Sequence, residues 1–344
     1  MNKIFIGLAL TAGLLSSCRN KDKEFSDYTY QTVYFANQFP IRTVELGEDL
    51  FIDNSIDNQH KIMIKATMGG VYENNKNILI DFAVDTTLCR SLYFTNGPTN
   101  GLKVIPMPSN YYELASSQIM IPSGSLLGGV EVQLTDAFFA DPLSVNNTYA
   151  IPLVMTSVVG ADSILLGSPV VSNPDRLVDG NWGIKPKDFV LYLVKYVNPW
   201  HGNYLRRGKD IITRSSVADS TSVRHTQYVE SNPVVSLSTT SMSTVSLPLT
   251  IQNNKTNVNF TLVLTFANDG TCTVSSKTAN VTATGTGAFL SKGEKNSFGG
   301  KDRDGLYLDY SVNFTVLNLQ YATKDTLVVR DRGVKADYFT VVKK

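Results

Sequence analysis

One thiol in this 344-residue chain stands where chemistry is expected of it. Cys18 follows Leu15-Ser16-Ser17 at the end of a short apolar N-terminus that opens with Lys3, the pattern in which a cysteine accepts a diacylglyceryl group and becomes an acylated first residue after cleavage before it. The apolar run from Ile4 to Leu15 is broken only by Gly7, Thr11 and Gly13. As a helix it would reach about 18 Å, well short of the roughly 30 Å hydrocarbon core, so a cleaved signal over 1–17 is expected rather than a permanent span. An ordinary secretory peptide with a chance cysteine is the alternative. A lipidated stalk over 18–27 would follow, polar enough to hold a folded body away from a membrane.

Other reactive constellations are missing. The histidines His60, His201 and His225 are scattered, and no HExxH, Gly-x-Ser-x-Gly, phosphate-binding or dinucleotide fingerprint follows any apolar segment. Paired carboxylates of a glycosidase need only meet in space, so sequence does not exclude them. No catalytic residue, metal or cofactor is expected. Asp53-Asn54-Ser55-Ile56-Asp57 has alternating oxygen ligands but lacks the Gly and distal Glu of a calcium loop, and it reads as a polar turn. Cys89 and Cys272 lie far apart, and two buried thiols are expected rather than a disulfide. Arg206-Arg207 with Lys209 reads as a solvated strand end. Asp85-Thr86-Thr87, Asp162-Ser163-Ile164, Asp219-Ser220-Thr221 and Asp325-Thr326-Leu327 have the form of Asp-Ser/Thr-apolar O-glycosylation triads, a form that chance produces readily in a Ser/Thr-rich chain.

The elements that would position such residues are strands almost throughout. Val258, Phe260, Leu262, Leu264 and Phe266 alternate with mostly polar neighbours and run into Asn268-Asp269-Gly270, a tight-turn signal. Leu306, Leu308, Tyr310, Val312, Phe314 and Val316 repeat the pattern, with Thr326 to Arg330 as the expected partner. Ile62/Ile64/Ala66/Met68, Ile78/Ile80/Phe82/Val84 and Val130/Val132/Leu134 do the same earlier in the chain. One helical turn each is conceivable in Ala115–Ile121 and Leu134–Ala140. The segment Ser172–Lys187 is rich in Asn, Pro, Asp and Gly; the apolar run Phe189–Val197 follows, and Asn198-Pro199 ends it. The expected architecture is all-β: an immunoglobulin-like sandwich over 28–197, then an up-and-down antiparallel barrel over 198–344, with an open sandwich as the rival for the second domain. Charge is balanced at 31 basic and 30 acidic residues, and loss of Lys3 with the leader would leave 30 of each. Such a chain lacks the field that draws proteins to nucleic acid, so that partner is not expected.

The block Phe189-Val-Leu-Tyr-Leu-Val-Lys-Tyr-Val-Asn-Pro-Trp-His-Gly-Asn-Tyr-Leu-Arg-Arg-Gly208, with Asp325-Thr-Leu-Val-Val-Arg-Asp-Arg-Gly333, resembles the two-domain lipoproteins encoded in Bacteroidetes glycan-utilisation loci. In that family a sandwich domain of uncharacterised function, also found ahead of some family 18 glycosidases, precedes a lipocalin-like domain whose opening Gly-x-aromatic would be Gly202-Asn203-Tyr204 here. The DxxDxDxE acid motif of those glycosidases is absent. The resemblance implies an accessory protein that binds oligosaccharide beside an outer-membrane transporter pair of the starch-utilisation type. It also implies a lipid anchor in the outer membrane, facing the cell surface or the periplasm. An adhesin-like or structural surface protein is the second reading, and a cryptic hydrolase the third.

Sugar rings present flat C–H faces to aromatic rings and hydroxyls to amides and carboxylates. Trp182 in Gly180-Asn-Trp-Gly183 and Trp200 in Pro199-Trp-His201 are therefore the leading candidate contacts, with Tyr72, Tyr111 and Tyr112 behind them. Each has a structural reading as well: Trp182 would plug a seam between domains, and Trp200 would cap the barrel end. Barrel tyrosines such as Tyr310 are expected to face a core, although a lipocalin-like lumen has room for a ligand.

Overall fold

The computed structural model describes residues 27–344; the leader, Cys18 and the stalk up to residue 26 lie outside the described residues. The chain is nearly all β. In the first half one large sheet folds over a core in a sandwich-like arrangement. Its strands run in space as Ser163–Ile164, Thr32–Tyr34, Lys61–Gly69, Leu127–Leu134, Gln118–Ile121, Ile78–Val84, Tyr149–Val159, Phe189–Val197, Pro40–Glu45 and Asp337–Tyr338. Period two decides which side chains enter the core. Ile62, Ile64, Ala66 and Met68 are buried while their neighbours face out, and Val130, Val132 and Leu134 do the same on the adjoining strand. Gln118–Ile121 is a strand rather than a helical turn, because Ile119 and Ile121 are fully buried at alternate positions. Asp136–Ala140 does form a single helical turn, placing Phe138 and Phe139 under the sheet.

Phe189–Val197 has no alternation because both of its faces are covered. It pairs antiparallel with Tyr149–Val159 and parallel with Pro40–Glu45, in the middle of the sheet. Val190, Val194 and Tyr196 enter the main core, while Phe189, Leu191 and Leu193 pack on a second cluster with Leu88, Cys89, Leu92 and Phe94.

The second half closes on itself. Gly202–Arg214, Val234–Ser241, Thr244–Asn253, Thr256–Phe266, Thr271–Ser276, Val281–Glu294, Arg303–Phe314 and Leu319–Asp331 each pair antiparallel with the next, and the last returns to the first, giving an eight-stranded barrel. Closure removes the free edges that an open sandwich would leave. A further strand, Val217–Arg224, forms a hairpin with the far half of Gly202–Arg214. Gly270 adopts φ 83° in the turn after Phe266, and a Cβ there would lie 2.8 Å from the Phe289 carbonyl oxygen. Arg303–Phe314 stops short of Val316, which is exposed in the tight turn Thr315–Leu317 ahead of left-handed Asn318.

The two halves meet around Arg332, which is 5% exposed. Its Nε donates to the His201 carbonyl at 2.8 Å, Nη2 to those of Asn198 at 2.8 Å and Leu46 at 2.9 Å, and Nη1 to that of Glu48 at 3.1 Å. Past Gly333 the chain leaves the barrel and returns to the first half. Asp337–Tyr338 pairs with Pro40 and Ile41, Val341–Lys343 pairs with Leu92–Phe94, and buried Phe339 sits edge-on to Phe39 and Phe94.

Candidate functional site

Alternation along the first barrel strand sends Tyr204, Arg206, Asp210 and Ile212 inward, with Gly208 between the two charged residues. Leu319–Asp331 sends in Tyr321, Thr323, Asp325 and Leu327, and Arg303–Phe314 sends in Leu306, Leu308, Tyr310, Val312 and Phe314. One end of the barrel is packed solid by leucines, Tyr204 and Phe266. Toward the other end a cavity of about 310 Å³ remains, at the small end of the range for small-molecule sites. Leu249, Ile251 and Phe260 form an apolar wall, Val312 adds apolar surface beside Tyr310, and Ser222 adds a hydroxyl, while Thr250 and Gln252 turn their side chains outward to Asn259 and Asn257.

Two guanidiniums and two carboxylates share the polar side. Asp325, with no exposed side-chain area, accepts from Tyr310 Oη at 2.9 Å and Arg206 Nε at 2.9 Å on Oδ2, and from Arg224 Nη2 at 2.7 Å on Oδ1. Asp210 accepts from both terminal nitrogens of Arg224 and from Thr323 Oγ1 at 2.8 Å. Burial works against the charge on Arg224, but the bonds to Asp210 and the charge of Asp325 more than offset it, so its pKa is raised and the guanidinium stays ionised. Burial also raises the Tyr310 pKa, leaving a neutral phenol that donates to Asp325 while accepting from Arg206 Nη2 at 3.1 Å. Gly208 is what lets the carboxylate in: a Cβ there would lie 2.2 Å from Asp325 Oδ1 and 2.3 Å from the Lys324 carbonyl oxygen. The arrangement is mutually hydrogen-bonded and balances two guanidiniums with two carboxylates, and it presents polar groups beside an apolar wall.

Arg206 is thus no solvated strand end. It is 12% exposed and faces the lumen, while Arg207, on the outer face, pairs with Glu294, and Lys209 is exposed. Adjacency in sequence groups 206–209 as a charge cluster, whereas alternation continued from Tyr204 places Arg206 and Asp210 inside. Asp325, part of a glycosylation-like triad and of the block that carries the family resemblance, has the least exposed side chain of the four charged residues in the network.

The five aromatic candidates do not converge on this cavity or on each other. Trp182 is half-buried in its loop, with Nε1 donating to the Asp175 carbonyl at 2.8 Å. Trp200 stacks on Phe266 at 4.0 Å and 6° between planes. Register pairs Phe266 with Cys272 and the preceding Thr265 with Thr244, at the ends of the paired strands away from Leu249 and Gln252, so Trp200 closes the packed end of the barrel. Tyr112 belongs to the sandwich core, and Tyr111 donates to Asp141 Oδ2 at 2.9 Å. Tyr72 is 65% exposed. In the polar turn, Asp57 is committed to Arg42 and to the Glu45 backbone N–H, and Asp53 caps Ser55. Among the described residues no group of three His, Cys, Asp or Glu side chains is placed to hold a metal. Cys89 and Cys272 are unpaired in separate cores, where burial pushes both thiols up to about 12.

Residues 199–333 match the domain of unknown function DUF5627, and residues 28–162 match a family model described only as a "-like, N-terminal domain". No curated protein matches the chain. Among solved structures, a Bacteroides ovatus protein of unknown function is 54% identical over 92% of this chain and 99% of its own, with a TM-score of 0.86. A second Bacteroides ovatus protein of unknown function is 14% identical, covering 88% of this chain and 94% of that one, at a TM-score of 0.41. An auxiliary nutrient binding protein from Bacteroides thetaiotaomicron is 11% identical, covering 84% and 90%, at a TM-score of 0.36. None of these three is named as an enzyme. With more than half of its residues identical across nearly the full length of both chains, this chain belongs to the family of the first Bacteroides ovatus protein.

Proposed function

We propose that the chain is a non-catalytic glycan-binding accessory lipoprotein of a polysaccharide-utilisation system, and that the barrel cavity is its binding site. The observation that carries the reading is the cavity itself: a lumen pocket in which ionised and hydroxyl groups already held by one another share the space with apolar Leu249, Ile251, Phe260 and Val312. A sugar needs that combination, with apolar area for its C–H faces and fixed polar partners for its oxygens. Binding there would require no chemistry of the protein. Anchoring falls to Cys18, whose acyl chains would hold the body to the outer membrane, in our reading at the cell surface next to a transporter pair that takes up the bound glycan.

Two experiments test this. Protein lacking residues 1–18 is placed on a glycan array and titrated by calorimetry with the glycans retained. Saturable binding weakened at least ten-fold by Ile251→Trp, which fills the cavity, is expected. Retention on host matrix proteins with no glycan bound would favour an adhesin, and release of shortened products would favour a hydrolase. Separately, mass spectrometry of native material is expected to find acylated Cys18, and Cys18→Ala is expected to move the protein from the membrane fraction to the soluble one.

A further inference from the structure

The hydrogen-bond ledger of the cavity narrows the ligand, on the reading that the cavity binds a sugar at all. Each carboxylate already accepts three bonds: Asp325 from Tyr310, Arg206 and Arg224, and Asp210 from both Arg224 terminal nitrogens and Thr323. The guanidiniums are not used up. Arg206 Nη1 has no partner among the described residues, and Arg224 Nε is buried without one. Exposure follows the same division: Arg206 and Arg224 keep 12% and 20% of their side-chain surface, against 0% for Asp325 and 9% for Asp210. The polar floor therefore offers mainly donors.

Three ligand groups can be weighed against such a floor. A sugar hydroxyl accepts, but it also brings an O–H that must find an acceptor, and the carboxylates are largely taken; a buried O–H left unpaired is costly. A uronate or sulfate accepts without donating, but it adds a full negative charge to a set of two guanidiniums and two carboxylates that is already balanced. An amide carbonyl accepts, adds no charge and carries a methyl group on the same carbon; its one N–H lies anti to the carbonyl across the planar amide and so points away from the donor floor, toward the sugar ring and the mouth. That methyl would meet Leu249, Ile251 and Phe260, which lie on strands that carry neither guanidinium. The ring hydroxyls would stay at the mouth, beside solvent and Ser222, whose hydroxyl can donate and accept.

We infer that the barrel cavity selects an N-acetylated sugar, taking the acetamido group inward with its carbonyl on the Arg206 and Arg224 N–H groups and its methyl on the apolar wall. Selectivity then resides in the acetyl group and not in the sugar ring.

The test uses calorimetric titration of protein lacking residues 1–18 with N,N′-diacetylchitobiose, cellobiose and digalacturonate, together with the array described above. Expected are saturable binding of the diacetylated disaccharide, at least ten-fold weaker binding of the other two, and a loss of about ten-fold or more in Arg206→Lys, which keeps the charge but not the planar fork. Ile251→Trp, at a half-buried position, is expected to abolish binding with an unchanged denaturation midpoint. Should Arg206→Lys fail to fold, selectivity of the parent protein among the three disaccharides decides alone. Equal or tighter binding of cellobiose or digalacturonate, blocked by Ile251→Trp, would overturn the acetamido inference and leave the glycan-binding reading standing. Absence of binding to every glycan on the array would overturn both.

Discussion

Replacing Asp325 by Asn removes one negative charge from the barrel lumen and almost none of the shape. In the parent chain this fully buried carboxylate takes bonds from Tyr310, Arg206 and Arg224 at 2.7–2.9 Å. Without its charge, two guanidiniums share Asp210 alone, and the lumen holds an uncompensated positive charge. Removing one partner of a buried ion pair typically costs about 3–5 kcal/mol, a large share of the roughly 5–15 kcal/mol that holds a domain folded. With a urea slope of about 2 kcal/mol/M, the midpoint of barrel unfolding should fall by about 2 M. Intrinsic fluorescence is a suitable probe, because Trp200 is stacked on Phe266 inside the barrel end. The double variant Asp325→Asn/Arg206→Met restores charge balance and keeps the Arg224–Asp210 pair, so it should be at least about 1 kcal/mol more stable than the sum of the two single effects. A single variant within 1 kcal/mol of the parent, or strict additivity in the double, would refute the account of the lumen as one coupled charge network.

Other expectations concern the junction and the strand crossing. Burial, Arg332 and Lys195 lower the His201 pKa to about 4, and its Nδ1 accepts from the Thr239 backbone N–H at 3.2 Å, so the folded chain keeps this imidazole neutral. Its contribution should be fully present above about pH 6.5 and lost as pH falls toward 4, by up to about 3 kcal/mol, and thermal denaturation of His201→Asn should show a flatter acid limb. Glu45 behaves oppositely: burial raises its pKa to about 7, so its contribution is present below about pH 4.5 and lost as pH rises to 7. Glu45→Gln should therefore gain up to about 3 kcal/mol over the parent at pH 8 and little at pH 5, as read from denaturation midpoints. Gly208→Ala should cost about 1–3 kcal/mol by driving a methyl into Asp325, whereas Gly180→Ala, with nothing within 4 Å of the added carbon, should stay within about 0.5 kcal/mol in the same urea assay.

Membership of a Bacteroides family rests on whole-chain identity, while the cavity rests on coordinates; the two reach different depths. Identity to a protein of unknown function carries fold and kinship. It says nothing about what enters the barrel, and the chemistry of Arg206, Asp210, Arg224, Tyr310 and Asp325 is the only guide to that.

The strands were legible because period two is a local property. Ile62 to Met68, Phe260 to Phe266 and Leu306 to Phe314 each declare a buried face within a few residues, and Asn268-Asp269-Gly270 declares its turn through the φ that Gly270 adopts. The all-β class and the eight alternating segments of a barrel follow from such local signals. Tertiary structure alone decided that Phe189–Val197 is covered on both faces, because its second cover comes from Leu88 to Phe94 and from Phe339, some 150 residues further along the chain. It also decided the site. Arg206 and Asp325 are 119 residues apart, and Arg224 and Asp325 are 101 apart, yet barrel closure brings the first and last strands side by side and turns their inward charges onto one another. A charged residue on an alternating strand is marked inward or outward by its neighbours; whether inward means core, ion pair or cavity depends on what the opposite wall supplies, and that is set only when the barrel closes.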